Sequence, residues 1–258
     1  MKDVWVLGDI HCDFSVIASW IVNNTITNSI IIQVGDFGIG FNNNQADYLK
    51  QLDFVVGSHE NKLIVIRGNH DNPSCFAENN NVNVSIFGRQ GELDASDLQE
   101  AIRNLKHIQL LPDYTVLDIN DERWLFVGGA ISIDRKHRVL GQSYWMDEIF
   151  VYDEQRASEF EGIDRVIAHT SPDFCPPVKF GYIVYAFAKD DNHLLEELKY
   201  EREQVTKLFA KLKEKNNLKG WMNGHFHDSS HMYHGSTEFI CLNINEFKQI
   251  LGKDDGIS

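Results

Sequence analysis

The 258-residue sequence predicts a mixed-sheet α/β or α+β sandwich. Three observations predict it. In the first half, short apolar runs rich in β-branched residues alternate with helical periodicities, the pattern of parallel strands joined by crossover helices. From about Ile108 to Val127 the pattern changes to that of a hairpin. The composition, 43% hydrophobic and 24% charged with only 5 Pro, is globular, and the length is ample for a buried core.

In chain order, strands are expected at Val4–Leu7, Ile30–Val34, Leu63–Ile66 and Val82–Phe87, each ending in Gly or polar residues. Helical patterns fill Phe14–Val22 and Gln45–Val56 between them. The second half adds strands at Trp124–Val127, Val166–Ala168, Trp221–Met222 and Phe239–Leu242. Asn192–Asn217 is a charged helical stretch whose Leu194, Leu195, Leu198, Val205, Leu208, Phe209 and Leu212 form one apolar stripe. That stripe predicts a structural cover at about 190–216, packed on a single domain spanning 1–258, since no internal repeat or low-complexity linker divides the chain. Asn42–Asn44 and Asn79–Asn81 mark loops.

Charge excludes one class of partner. With 24 Lys and Arg against 38 Asp and Glu, the net charge of -14 has the wrong sign for gripping duplex nucleic acid by bulk electrostatics. An anionic substrate therefore needs local positive charge. No run approaches the roughly 18 apolar residues of a membrane span, and the N-terminus enters a strand pattern without signal-peptide regions. A cytoplasmic protein is expected, its four scattered cysteines (Cys12, Cys75, Cys175, Cys241) reduced.

The chemistry is concentrated where strands stop. Val4–Leu7 runs into Gly8-Asp9-Ile10-His11, Ile30–Val34 into Gly35-Asp36, and Leu63–Ile66 into Arg67-Gly68-Asn69-His70-Asp71. Val166–Ala168 ends on His169, and Trp221–Met222 on Asn223-Gly224-His225-Phe226-His227. Sites in open α/β sheets form beyond the carboxyl ends of strands, so these five segments are expected to converge. In extended chain, residues two apart share a side, which would face Asp9 with His11, and His225 with His227, into one cavity. The glycines before Asp9, Asp36, Asn69 and His225 fit tight turning after each strand.

Imidazoles, carboxylates and one amide oxygen suit Mn²⁺, Fe²⁺, Zn²⁺ or Ni²⁺ better than an oxygen-only calcium cage. Seven candidates (Asp9, His11, Asp36, Asn69, His169, His225, His227) exceed one tetrahedral ion. Two ions roughly 3.5–4 Å apart, bridged by a carboxylate, would use them all. Two divalent cations against two aspartates leave an excess of about two positive charges, enough to draw a phosphate.

In order and spacing, these five blocks resemble the motifs of the calcineurin-like metallophosphoesterases over residues 8 to 227. The resemblance implies a four-layer sandwich, two mixed β-sheets flanked by helices, with a dinuclear centre holding two divalent metal ions, manganese foremost. It implies Asp9, His11 and His227 on one ion, Asn69, His169 and His225 on the other, and Asp36 between them. His70 is implied to be the acid that protonates the leaving group after attack by metal-activated hydroxide. Protein phosphatases of this superfamily typically extend the second block to Gly-Asp-x-x-x-Arg-Gly; here Phe37-Gly38-Ile39-Gly40-Phe41 follows Asp36, with no arginine.

Basic residues elsewhere could meet the substrate. Arg135 and Arg138, in the loop after Trp124–Val127, are the candidates, since a guanidinium fork matches phosphate oxygens. Arg67 is expected to form a structural ion pair; Tyr144 and Trp145 could line a cleft, with helix-packing aromatics the favoured reading. The carboxylate that orients His70 stays open, with Asp71 one candidate. Tyr182–Phe187 could be core, lid or dimer patch.

The expected function is hydrolysis of a phosphomonoester on a phosphorylated small molecule, nucleotide or phosphopeptide. The alternatives are a phosphodiesterase acting on cyclic nucleotides or nucleic-acid diesters, and a non-catalytic metal-binding scaffold. Oligomeric state is not legible.

Overall fold

A computed structural model describes residues 1–41, 45–76 and 91–252. The chain opens with β1 (Val4–Leu7), α1 (Phe14–Asn23), β2 (Ile30–Gln33), α2 (Gln45–Ser58) and β3 (Lys62–Val65). It continues through α3 (Gly91–Arg103), β4 (Ile108–Leu110), β5 (Thr115–Ile119) and β6 (Glu122–Val127). After α4 (Glu154–Glu159) come β7 (Ile163–Ala168), α5 (Tyr182–Phe187) and α6 (Leu194–Lys213). Strands β8 (Gly220–Asn223), β9 (Ser230–His234), β10 (Thr237–Cys241) and β11 (Phe247–Leu251) complete it. The strand expected at Val82–Phe87 lies outside the described residues.

Two mixed sheets result. The first runs β11-β1-β2-β3-β4, parallel except for β11; the second runs β5-β6-β7-β8-β10-β9, with β5 and β9 antiparallel at its edges. Both faces of the central strands are covered, which is why they read as unbroken apolar runs. In β3 and the residue after it, Leu63 and Val65 face the cluster under α1–α3, whereas Ile64 and Ile66 face the second sheet. Trp124 and Phe126 of β6 meet that middle layer, while Leu125 and Val127 pack toward α6. The layers are thus helix, sheet, sheet, helix.

The hairpin is shorter than the sequence pattern suggests. Only β5 and β6 form it; β4 pairs in parallel with β3 in the other sheet. Pro112 lacks an N–H for a ladder, and Tyr114 takes a φ of 63°, so the chain crosses between sheets there instead of continuing a strand. Among the described residues no helix is long and apolar enough to cross a membrane.

Along α6 the expected stripe is buried at Leu194, Leu198, Val205, Leu208, Phe209 and Leu212, but so are Glu201 and Arg202. Glu201 accepts a hydrogen bond from the Phe150 amide at 3.4 Å, and its burial pushes its pKa from 4.5 up to about 7. Below about pH 4.5 both folded and unfolded chains hold this proton, and the native state keeps its full stability. As pH rises toward 7 the unfolded chain ionises first, so stability is lost across that window. Accordingly, the fall in Tm between about pH 5 and pH 8 should shrink by several degrees in Glu201→Gln, measured by thermal denaturation. An unchanged pH profile would refute the assignment.

Candidate metal centre

The carboxyl ends of β1, β2 and β3 and of β7 and β8 meet at one edge of the two sheets. Backbone contacts tie them: Asp9 Oδ1 and Oδ2 each lie 3.1 Å from the His225 amide, and His169 Nδ1 lies 2.8 Å from the Val34 carbonyl. One ligand atom from each of Asp9, His11, Asp36 and His227 lies within 4.8 Å of the others. His11 Nε2 is 3.0 Å from His227 Nε2, which is 3.3 Å from Asp9 Oδ2.

Asp36 is the hub. Its Oδ1 lies 3.2 Å from His169 Nε2 and accepts the His70 amide at 2.7 Å; its Oδ2 lies 2.7 Å from His70 Nδ1 and 3.8 Å from His11 Nδ1. His169 Nε2 in turn is 3.1 Å from Asn69 Oδ1, and the Asn69 amide donates to Ser132 Oγ at 3.0 Å, which aims its oxygen inward. The His225 ring sits 5.0 Å from that of His169. All seven proposed ligands and His70 are therefore neighbours.

The backbone achieves this differently from the expectation. The segments carrying the histidine pairs are not extended: His11, Asp36, His225 and His227 have φ of 44°, 56°, 71° and 51°. Left-handed non-glycine residues are costly and persist where surrounding structure over-determines them, commonly at functional sites. Of the preceding glycines, Gly35 turns as expected with a φ of 99°, while Gly8, Gly68 and Gly224 serve for space. A Cβ on Gly68 would collide with Asp36, and one on Gly224 with the Asp9 carboxylate.

Electrostatics match a site built for cations. Asp36 is almost fully buried, which disfavours its charge, yet the His169 and His70 imidazoles hold its carboxyl well below the usual range. Burial opposes a charged His169, but Asp36 outweighs this and raises its pKa to about 9. Burial and the neighbouring His169 hold His225 well below its ordinary value, leaving a neutral nitrogen donor. A cation bound at His169 would have to displace the proton that Asp36 favours there. Borderline nitrogen and hard oxygen donors together fit a divalent transition-metal ion.

His70 is oriented by Asp36, not Asp71. Asp71 instead accepts amides from Gly38 at 2.6 Å, Gly68 at 2.7 Å and Ile39 at 2.9 Å, pinning the loop after β2 to that after β3. Arg138 Nη2 lies against His70 Nε2, and its Nη1 donates to Ser132 Oγ at 2.9 Å. Arg135 requires a correction: its guanidinium is taken by Asp191 at 2.6 Å and Glu197 at 2.5 Å near the start of α6, so the structure does not bring it to the cluster. Arg67 forms its structural pair with Asp113 at 2.6 Å. Tyr144 and Trp145 lie in a loop, not a helix, with Trp145 packed 6.2 Å from Phe41.

A cavity of about 520 Å³ opens beside the cluster and is lined by His11, Asp36, Asn69, His70, His225 and His227. Thr170 also lines it, a residue that sequence reasoning passed over. Its hydroxyl is buried and has no hydrogen-bond partner among the described residues. Only its place next to His169 could have flagged it.

Comparison with known sequences then decides the family. The calcineurin-like phosphoesterase profile matches residues 2–229. The chain belongs to the calcineurin-like phosphoesterases. It is accordingly a metal-dependent phosphoesterase, a hydrolase acting on ester bonds. No curated protein matches it. Among solved structures, a phosphopantetheinyl hydrolase from Mycobacterium tuberculosis shares the fold at 11% identity and a TM-score of 0.50, covering 100% of this chain and 98% of its own. The protein TT1561 of Thermus thermophilus aligns at 9% identity and a TM-score of 0.49 over 95% of this chain and 97% of its own. A novel archaeal phosphodiesterase aligns at 10% identity and a TM-score of 0.39 over 96% and 99%.

Proposed function

We propose that this calcineurin-like phosphoesterase hydrolyses phosphomonoesters at a pair of divalent cations, manganese foremost. The observation that carries the reading is the position of Asp36, whose two carboxylate oxygens face different imidazoles, His169 on one side and His70 and His11 on the other. In this reading Asp9, His11 and His227 hold one cation and Asn69, His169 and His225 the other, with Asp36 shared. When bound, the cations neutralise phosphoryl oxygens and make a water acidic enough to attack near neutral pH.

The rest falls to this chain's own side chains. Burial opposes a charged His70, but Asp36 beside Nδ1 more than compensates and lifts its pKa above the ordinary value. With Nδ1 held by Asp36, a protonated His70 presents its Nε2 proton to the cavity and can deliver it to the departing alkoxide. Arg138, beside His70 Nε2 at the cavity, offers guanidinium donors that match phosphate oxygens. Arg138 thus stands in for the arginine missing after Asp36, reaching His70 from the loop after β6. The added cation favours the dianion of a monoester over the monoanion of a diester. We place the protein in the cytoplasm, with a small phosphorylated molecule, nucleotide or phosphopeptide as its partner.

Arg138→Ala should lower kcat/KM about ten- to hundredfold for a monoester, with metal content unchanged, because one charge-assisted contact is lost. Steady-state kinetics beside elemental analysis read both. The function itself is tested by comparing manganese-supported turnover of a chromogenic phosphomonoester with that of the matching diester. Faster monoester hydrolysis is expected. Preference for the diester would overturn the monoester reading, and bound metal without turnover of either would support a scaffold.

A further inference from the structure

We infer that the ester's leaving group is an apolar alcohol, alkyl or aryl, seated on a wall built by the loop after β6, α5 and α6. This rests on the phosphoesterase reading above. Opposite the histidines, the cavity is lined by Ile133, Phe180, Ile183, Val184, Phe187 and Leu198. None of these side chains carries a donor or acceptor. All but Ile183 belong to one cluster with buried Ile131 and Leu194, so the wall continues a face of the core, and Ile183 extends it at the cavity.

That face is nevertheless left uncovered. No residue of α5 is buried, and Ile183 is 51% exposed at the cavity. Contiguous apolar surface continuous with a polar site marks ligand-binding ground. Of the other charges that line the cavity, Arg202 is engaged: it donates to the Ser171, Pro172, Cys175 and Pro177 carbonyls and lies 5.1 Å from the Phe226 ring. Lys179 stands exposed at the rim. A sugar phosphate or phosphopeptide would strip water from hydroxyls or amides against a wall that returns no hydrogen bond. An alkyl or aryl group loses nothing there and gains by burial. The inference therefore narrows the substrate to a small molecule and sets aside the phosphopeptide.

The test is a chain-length series. With the manganese-loaded protein, kcat/KM for linear alkyl phosphates from ethyl to hexyl should rise about three- to fourfold per methylene until the wall is covered. The Kd of the matching alkylphosphonates, by calorimetry, should fall in parallel. Ile183→Asp, at an exposed position, should flatten both slopes. Turnover of all esters without dependence on chain length would overturn the apolar seat and leave the phosphoesterase reading standing. Length-dependent phosphonate binding without turnover of any ester would support the seat and refute hydrolysis. A dimer dissolved by Ile183→Asp, with flat slopes, would assign the wall to a second copy and overturn the proposal.

Discussion

Replacing His70 by alanine should lower turnover about 10²–10⁴-fold and leave metal content unchanged. Both halves follow from where the ring sits. Its Nδ1 is engaged by Asp36 at 2.7 Å, and its Nε2, against Arg138, faces the cavity and not the residues read as ligands. The seven side chains read as ligands should remain in place without it. The loss should be greatest for esters with poor leaving groups and smaller for a chromogenic aryl ester whose phenolate departs without a proton. Equal losses on both would contradict a role in protonating the leaving oxygen.

Asp36→Asn is expected to have the larger effect. It should reduce bound metal by at least half and lower turnover by about 10³-fold or more, because several kcal/mol of cation stabilisation are removed at about 1.4 kcal/mol per decade. The substitution isolates charge from shape. Asparagine tolerates the left-handed backbone at this position, where φ is 56°, and its amide matches the carboxylate in volume. Elemental analysis of wild type and variant, alongside circular dichroism to confirm folding, separates lost metal from lost structure. Full metal occupancy in a folded Asp36→Asn protein would show that the carboxylate is not shared.

These two residues were legible because of where they stand. Buried parallel strands read as continuous apolar runs, so the polar residues that end them, Asp36 after Ile30–Val34 and His70 after Leu63–Ile66, stand out. The geometry behind the site was less legible. Alternation along an extended chain was the reason to pair Asp9 with His11 and His225 with His227, yet His11, His225 and His227 themselves take left-handed backbone. Such a conformation at a histidine leaves no mark in composition. It becomes necessary only when the cross-sheet contacts of His169 and His225 are in place.

Long-range pairing hid other parts. Arg135 and Arg138 are three residues apart in one polar loop, and nothing local distinguishes them; Asp191 and Glu197, far along the chain, withdraw the first. Glu201 and Arg202 fall outside the apolar residues of the helical stripe, yet both are buried against loops that arrive from elsewhere. Likewise, a six-residue apolar segment such as Tyr182–Phe187 has no period long enough to tell core from cavity wall.

The account stands on two cations sharing Asp36. Anomalous diffraction from crystals of the manganese-loaded protein tests it most directly. Two manganese peaks per chain are predicted, one among Asp9, His11 and His227 and one among Asn69, His169 and His225, with Asp36 reaching both. A single peak, or manganese bound away from these residues, would contradict it.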